Sequence, residues 1–299
     1  MNNMKYEALK NKVVVITGAS AGLGRCVVRE FAKHGSTIAL LARGWDGLNA
    51  GVKEAKQLGA KAKAYCVDVS DPKQVEDAAW AIELELGPID IWINNAMVSV
   101  FGPFQKMELV DFKRVTEVTY LGQVHGTRSA LKRMSGRNEG VIILVGSALA
   151  YRGIPLQSAY CGAKHAIHGF FESLRAELIH DKSHVKLCMI QLPAMNTTQF
   201  EFVKTYLPNK PMPMGHIYQP EVVAQAIVRL ALHPKREKYI GFSTYQAIIG
   251  NKIIPSWLDR YLARIGYKGQ QTNEPEPPDK KDNLYKPLPG DHGAHGPFK

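Results

Sequence analysis

The segment SAYCGAK, residues 158–164, sets Tyr160 and Lys164 four positions apart with only Cys161, Gly162 and Ala163 between them. On a helix, positions i and i+4 share a face, so this spacing brings an ammonium beside a phenol. An unperturbed tyrosine titrates near pH ~10. A neighbouring cation favours the phenolate and moves the hydroxyl toward the range where it exchanges a proton at neutral pH. Ser147, closing the apolar run IILVGSALA, adds a hydroxyl able to donate to a carbonyl oxygen or a developing alkoxide. Singly, the first two would be an ordinary helix face and the third a turn cap. Together they describe a proton-shuttling site.

A second set of residues suits an anion. VVVITGASAGLGRCVVREFAKHG, residues 13–35, reads as strand, glycine-rich turn and helix, with Gly18, Gly22 and Gly24 in the turn and Ser20, Ala21 and Leu23 among them. Such a turn lets a pyrophosphate approach backbone N–H groups at the positive end of a helix. The second apolar run, IALLARG, ends in Arg43 and carries no acid. A carboxylate there would hold the ribose hydroxyls of NAD, whereas arginine suits the 2′-phosphate, so NADP is expected over NAD.

These groups need a frame. Six short apolar runs, KVVVITG, STIALLAR, KAKAYCVDV, IDIWINNA, GVIILVGS and HVKLCMIQLP, alternate with segments of helical length over the first 190 residues. That alternation predicts an α/β fold, a doubly wound parallel sheet (Rossmann fold) with right-handed crossovers and ligands at the carboxyl ends of the strands. A single domain, 1–250, is expected to carry the site. Within it, the proline- and methionine-rich stretch 193–219 reads as a lid over an apolar pocket. Residues 251–299 form a C-terminal extension: a helix, then from about Gln270 a Pro/Gly-rich tail with six of the 17 prolines, expected to have little regular structure and to lie free or across a neighbouring subunit. Ile254, Trp257, Leu258, Tyr261, Leu262 and Ile265 follow helical spacing, which fits a membrane-surface helix, a subunit contact or packing on the core.

Composition narrows the classes. A chain of 299 residues with 45% hydrophobic residues can bury a full core and is neither fibrous nor disordered. The net charge of +11 is scattered, with no long basic run and no recognised module, which argues against nucleic acid. Cys26, Cys66, Cys161 and Cys188 show no paired or metal-type spacing and read as reduced core residues. MNNMKYEALKNK lacks an apolar leader core, and no apolar run reaches spanning length, so the cytoplasm is expected. His165 and His168, and His292 and His295, lack a ligand framework, and no metal is expected.

With TGASAGLG (17–24), NNA (94–96), Ser147 and YCGAK in this order, the chain resembles the short-chain dehydrogenase/reductase family over roughly residues 10–245. The resemblance implies transfer of hydride between NAD(P) and an alcohol or ketone carbon. It implies Tyr160 as general acid/base, Lys164 holding the nicotinamide ribose and lowering the tyrosine pKa, and Ser147 orienting the substrate oxygen. It also implies Asp68 and Val69 at the adenine, Asn94 and Ala96 along the groove, Pro193, Asn196 and Thr197 at the nicotinamide end, and a homodimer or homotetramer. Three positions depart from the family pattern: Thr119 stands where an asparagine is usual, and Met97 and Ala194 replace glycines. A rearranged proton relay and a bulkier, more apolar nicotinamide end are expected. Met195, Phe200, Phe202, Tyr206, Met212 and Met214 suggest a moderately hydrophobic substrate. The competing reading is a cofactor-binding scaffold or redox sensor without turnover.

Overall fold

A computed structural model describes residues 7–298. Seven parallel strands form the central sheet: β1 Val13–Thr17, β2 Thr37–Ala42, β3 Lys61–Cys66, β4 Ile89–Asn94, β5 Val141–Val145, β6 Lys186–Gln191 and β7 Glu237–Tyr239. Their spatial order is β7-β6-β5-β4-β1-β2-β3, so the order reverses between β1 and β4. This is the expected doubly wound sheet, with one strand more than the six apolar runs. The seventh, EKY, is short, polar and at the sheet edge, and it gives no apolar signal. β3 also departs from expectation: Lys61 and Lys63 are exposed because β3 is the opposite edge, paired only with β2.

Side chains alternate between the two sheet faces. Val14, Ile16, Ile38 and Leu40 pack against α1 (Gly22–Ala32), α2 (Trp45–Gln57) and, further along the chain, α7 (Pro220–Leu232). Val13, Val15, Ala39 and Leu41 pack on the other face with α3 (Pro72–Leu86), α5 (Gly122–Met134) and α6 (Ser158–His180). α5 continues α4 (Leu109–Val115) through one wide π turn, Thr116–Leu121. Each large aliphatic or aromatic side chain buried this way contributes about 1.5–3 kcal/mol before entropy is counted.

The stretch 193–219 is partly ordered by pairing. Lys204–Thr205 adds to Val100–Phe101, and Asn209–Pro211 pairs antiparallel with Gln271–Pro275. After β7 come α8 (Phe242–Ile253) and α9 (Pro255–Ile265). Leu262 is the only buried residue of α9, so core packing accounts for little of its apolar face. The C-terminal tail does not stand free. It folds back on its own molecule, sinking Leu284 into one sheet face's core and Ala294 into the other's.

Among the described residues no helix is long and apolar enough to cross a membrane. The first six residues of MNNMKYEALKNK lie outside the described residues. All four cysteines are free; Cys66 is exposed at the end of β3 rather than in the core.

Candidate active site

The carboxyl ends of β1, β2, β4 and β5 open into one cavity of ≈ 570 Å³. Gly18, Ser20, Ala21, Gly22, Leu23 and Gly24 line one wall, with Gly18 and Gly22 at φ +66° and +56°, conformations that favour glycine. A Cβ at Gly24 would stand 2.0 Å from the Gly18 carbonyl oxygen, so the turn closes only without a side chain there. Arg25, fully buried behind it, donates to the Ser20 and Gly47 carbonyls at 2.8 and 2.7 Å and to Glu54 at 2.9 Å, tying the turn to α2.

Ser147, Tyr160 and Lys164 line the same cavity. Ser147 follows β5, and its backbone N–H donates to Gln191 Oε1 at 2.8 Å while its hydroxyl accepts from Leu149 N at 3.1 Å. Tyr160 and Lys164 occupy the first turns of α6, with the lysine Nζ 5.5 Å from the phenol ring centre and donating to the Val145 carbonyl at 2.7 Å. Burial pushes the phenol above its ordinary value, opposed by the adjacent Ser147 hydroxyl. Burial also pushes the Lys164 ammonium down to about 7. Each group by itself resists its charged form, and burial, rather than the Lys164 charge expected to lower it, dominates the Tyr160 pKa.

The cofactor-type residues divide. Asp68, Val69, Ala96, Pro193 and Thr197 line the cavity, as do Met97 and Ala194. Asn94 does not. Its side chain turns into the sheet–helix interface, donating to Thr127 Oγ1 at 3.1 Å and accepting from Trp92 Nε1 at 3.0 Å, because Gly126 of α5 comes close enough to leave room only there. Asn95 takes the cavity position and donates to the Thr17 and Gly18 carbonyls. Asn196 is likewise turned away, donating to Gln219 Oε1 and accepting from Phe298 N. Thr119 is fully buried in the π turn. Its hydroxyl donates to the Val98 carbonyl at 2.8 Å and accepts from the Val98 N–H at 3.1 Å, clamping the loop after β4.

Arg43 is half-buried at the end of β2. Its guanidinium donates to the backbone carbonyls of Asn283, Leu284 and Tyr285, and among the described residues it forms no ion pair. The nearby Asp68 is bound to Arg114 instead. Burial lowers the Arg43 pKa, with Asp68 acting in the other direction. The result is an oriented cation hydrogen-bonded to neutral groups and facing the cavity.

Sequence reading missed Gln191, Arg25 and the tail. Gln191 had a signal: it is a lone amide in the otherwise apolar KLCMIQ strand, fully buried, whose Nε2 donates to Glu237 at 3.1 Å. Of the histidines singled out, His168 hydrogen-bonds with Tyr151 and His295 with Glu221. Among the described residues, one group of potential ligand atoms, from Cys26, Glu221 and His295, lies within 4.8 Å, already joined by hydrogen bonds.

The far end of the cavity is apolar, lined by Phe101, Ile154, Phe200, Val203, Met214 and Leu258. Phe200, Val203 and Met214 of the stretch 193–219 contribute to this lining, and Phe101, Leu156, Phe200, Val203 and Leu207 form a small core of their own.

Comparison with known proteins agrees with this architecture. The family model for short chain dehydrogenases matches residues 12–205. The chain is 35% identical over 291 residues to an uncharacterized oxidoreductase, YxnA, of Bacillus subtilis (strain 168), covering 97% of this chain and 82% of that one. It is 32% identical over 227 residues to 3-dehydrosphinganine reductase of Danio rerio, covering 73% and 68%. Among solved structures, an alcohol dehydrogenase from Thermococcus sibiricus complexed with 5-hydroxy-NADP superposes with a TM-score of 0.65 at 26% identity, covering 77% of this chain and 94% of the other. The glycine turn at β1, the serine after β5 and the tyrosine–lysine pair on α6 therefore stand within a nicotinamide-dinucleotide fold, and the chain belongs to the short-chain dehydrogenase family of oxidoreductases.

Proposed function

We propose that the protein is an NADP-dependent oxidoreductase interconverting a moderately hydrophobic alcohol and its ketone. The observation that carries this reading is Arg43, a guanidinium without a carboxylate partner, held at the end of β2 beside the cavity that also contains Ser147, Tyr160 and Lys164. A 2′-phosphate is the group of NADP that would neutralise it. The glycine turn, with N–H groups at the start of α1, would hold the pyrophosphate, and Asp68 and Val69 would border the adenine.

When bound, the dinucleotide supplies the hydride. The protein's own residues manage the proton. Burial favours the protonated Tyr160 phenol, the form that can give a proton to a ketone oxygen. The Ser147 hydroxyl donates to the substrate oxygen, the Tyr160 proton passes to that oxygen, and the Lys164 ammonium stabilises the phenolate left behind. Oxidation of the alcohol runs the same transfer backward. Met97 and Ala194 crowd the reacting end with apolar groups and keep water from it.

The apolar far end supports a lipophilic substrate, and a relative named 3-dehydrosphinganine reductase supports reduction as the reaction class. Leu258 and Ala247 line the cavity from α9 and α8, whose outer faces expose Phe242, Ile253 and Trp257 at 71%, 72% and 55% among Lys252, Arg260 and Arg264. We assign this hairpin to entry of apolar substrate.

The test is turnover of a panel of lipophilic and small polar ketones with NADPH and with NADH. NADPH with the lipophilic ketones is expected to give the highest kcat/KM, and Arg43→Ala is expected to raise KM for NADPH about tenfold or more while leaving NADH little changed. Preference of the unaltered protein for NADH would overturn the cofactor assignment.

A further inference from the structure

Residues 282–298 run the length of the proposed dinucleotide cleft on the same molecule. At the β2 end, the carbonyls of residues 283–285 hold Arg43. At the glycine turn, the Gly22 N–H donates to the Gly293 carbonyl at 3.0 Å. Beyond the end of β6, the Phe298 N–H donates to Asn196 Oδ1 at 3.0 Å, and its ring meets Phe200 edge-on at 5.5 Å. Arg25 to Asp291, at 3.2 Å, and His295 to Glu221, at 2.7 Å, add anchors outside the cleft.

We propose that residues 282–298 are a working part of the dinucleotide site: a strap that closes over the cofactor, aims Arg43 at its 2′-phosphate, and lifts to let the cofactor exchange. This rests on the NADP reading above.

Three features separate a strap from an inert tail. First, Asn283, Leu288 and His292 of the tail line the same cavity of ≈ 570 Å³ as the glycine turn, Ser147 and Tyr160. The segment also takes the Gly22 N–H, an amide of the turn proposed to hold the pyrophosphate, so it has to lift there for the cofactor to bind. Second, its contacts to Arg43 are neutral carbonyls, which orient the guanidinium but leave its charge available to an anion. Third, the fit is close at both ends. A Cβ at Gly296 would meet the Thr197 carbonyl oxygen at 2.6 Å, and one at Gly44 would meet Pro287 at 3.1 Å. Because the strap touches Arg43 on one side of the cleft and Thr197 on the other, a dinucleotide spanning both cannot leave while it is down.

The experiment uses full-length protein with Gly296→Val, which sets a branched side chain against the Thr197 backbone, and separately Asp291→Ala, which removes a half-exposed anchor and leaves Arg25 paired with Glu54. NADPH release is followed by stopped-flow fluorescence during a chase with excess NADP, equilibrium binding is measured for NADPH and NADH, and amide hydrogen exchange of 282–298 is measured with and without NADPH. The expected result is protection of 282–298 by NADPH, release about tenfold faster from both variants, and a larger loss of affinity for NADPH than for NADH. Tighter NADPH binding by the variants, with the segment deprotected by NADPH, would make the tail an inhibitory plug; that overturns the strap while the cofactor reading survives. Unchanged release and exchange would make the tail passive and overturn the strap alone. Failure of unaltered protein and both variants to bind either dinucleotide would overturn both readings. Should Gly296→Val fail to fold, Asp291→Ala decides by the same readouts.

Discussion

Lys164 Nζ donates to the Val145 carbonyl at 2.7 Å, which ties the buried ammonium of α6 to the strand that presents Ser147 two residues later. One hydrogen bond therefore fixes the cation relative to both hydroxyls of the site. Burial drives the ammonium down to about 7 and the phenol up, so both groups on this face of α6 resist their charged forms.

This placement predicts unequal effects of removing the two groups. Tyr160→Phe should lower kcat by roughly 10²–10⁴-fold, the usual size of a general acid–base contribution, with dinucleotide affinity retained. Lys164→Met should lower kcat and weaken dinucleotide binding together. Steady-state rates with parallel fluorescence titration of NADPH check both. Equal turnover by the Tyr160→Phe protein would favour the scaffold reading.

Gln191 should act on Ser147 at one remove. Gln191→Leu keeps the volume but leaves the buried Ser147 N–H without its acceptor and Glu237 with one donor fewer. An unsatisfied buried donor costs about 1–3 kcal/mol, so the midpoint of urea unfolding should fall accordingly. The expected kinetic signature is a lower kcat with KM for NADPH unchanged.

Two glycines should respond in opposite senses. Gly24→Ala forces a methyl against the Gly18 carbonyl and should abolish dinucleotide binding or unfold the protein. Gly162, between Tyr160 and Lys164, has nothing within 4 Å of an added Cβ and is exposed. Gly162→Ala should raise stability by about 0.5–1 kcal/mol through helix propensity and keep activity. Thermal melts and turnover of the two proteins test the contrast.

Acid should weaken the support behind Ser147. Burial alone would raise the Glu237 pKa, but hydrogen bonds from His168, Tyr151 and Gln191 and the charge of Arg236 outweigh it and hold the carboxyl at about 2, against an ordinary 4.5. A carboxylate depressed in the folded state contributes stability above its unfolded value, and that contribution disappears as pH falls from about 4.5 toward 2. Glu54 and Glu76, also held at about 2, add to the same acid loss. Glu237→Gln should therefore flatten, without removing, the fall of Tm in that window; an unchanged slope would show that Glu237 is not part of it.

How much of this was legible in the chain follows from the range of each interaction. The six apolar runs, the glycine turn and the Tyr160–Lys164 spacing are local: pleat, positive φ and helical repeat act within a few residues, so residue types alone announced the sheet, the turn and the shared face. β7 was not legible, since a three-residue polar edge strand is defined by its partner β6. The choice between Asn94 and Asn95 was equally hidden, because it depends on the close approach of Gly126, on the helix packed over β4, which leaves room for the Asn94 amide there.

The sequence by itself determined the doubly wound parallel sheet, the order of the motifs along it and the chemical character of Ser147, Tyr160, Lys164 and Arg43. Tertiary structure alone decided where the tail lies, what Arg43 is bonded to and how far Lys164 is desolvated. Those three depend on contacts between residues more than a hundred positions apart, or on burial by several elements at once, as in the bonds from Arg43 to residues 283–285. A proline-rich tail has no periodicity to read; its place is set by Leu284 and Ala294 finding gaps in two cores and by carbonyls meeting a guanidinium that only the folded chain brings to them.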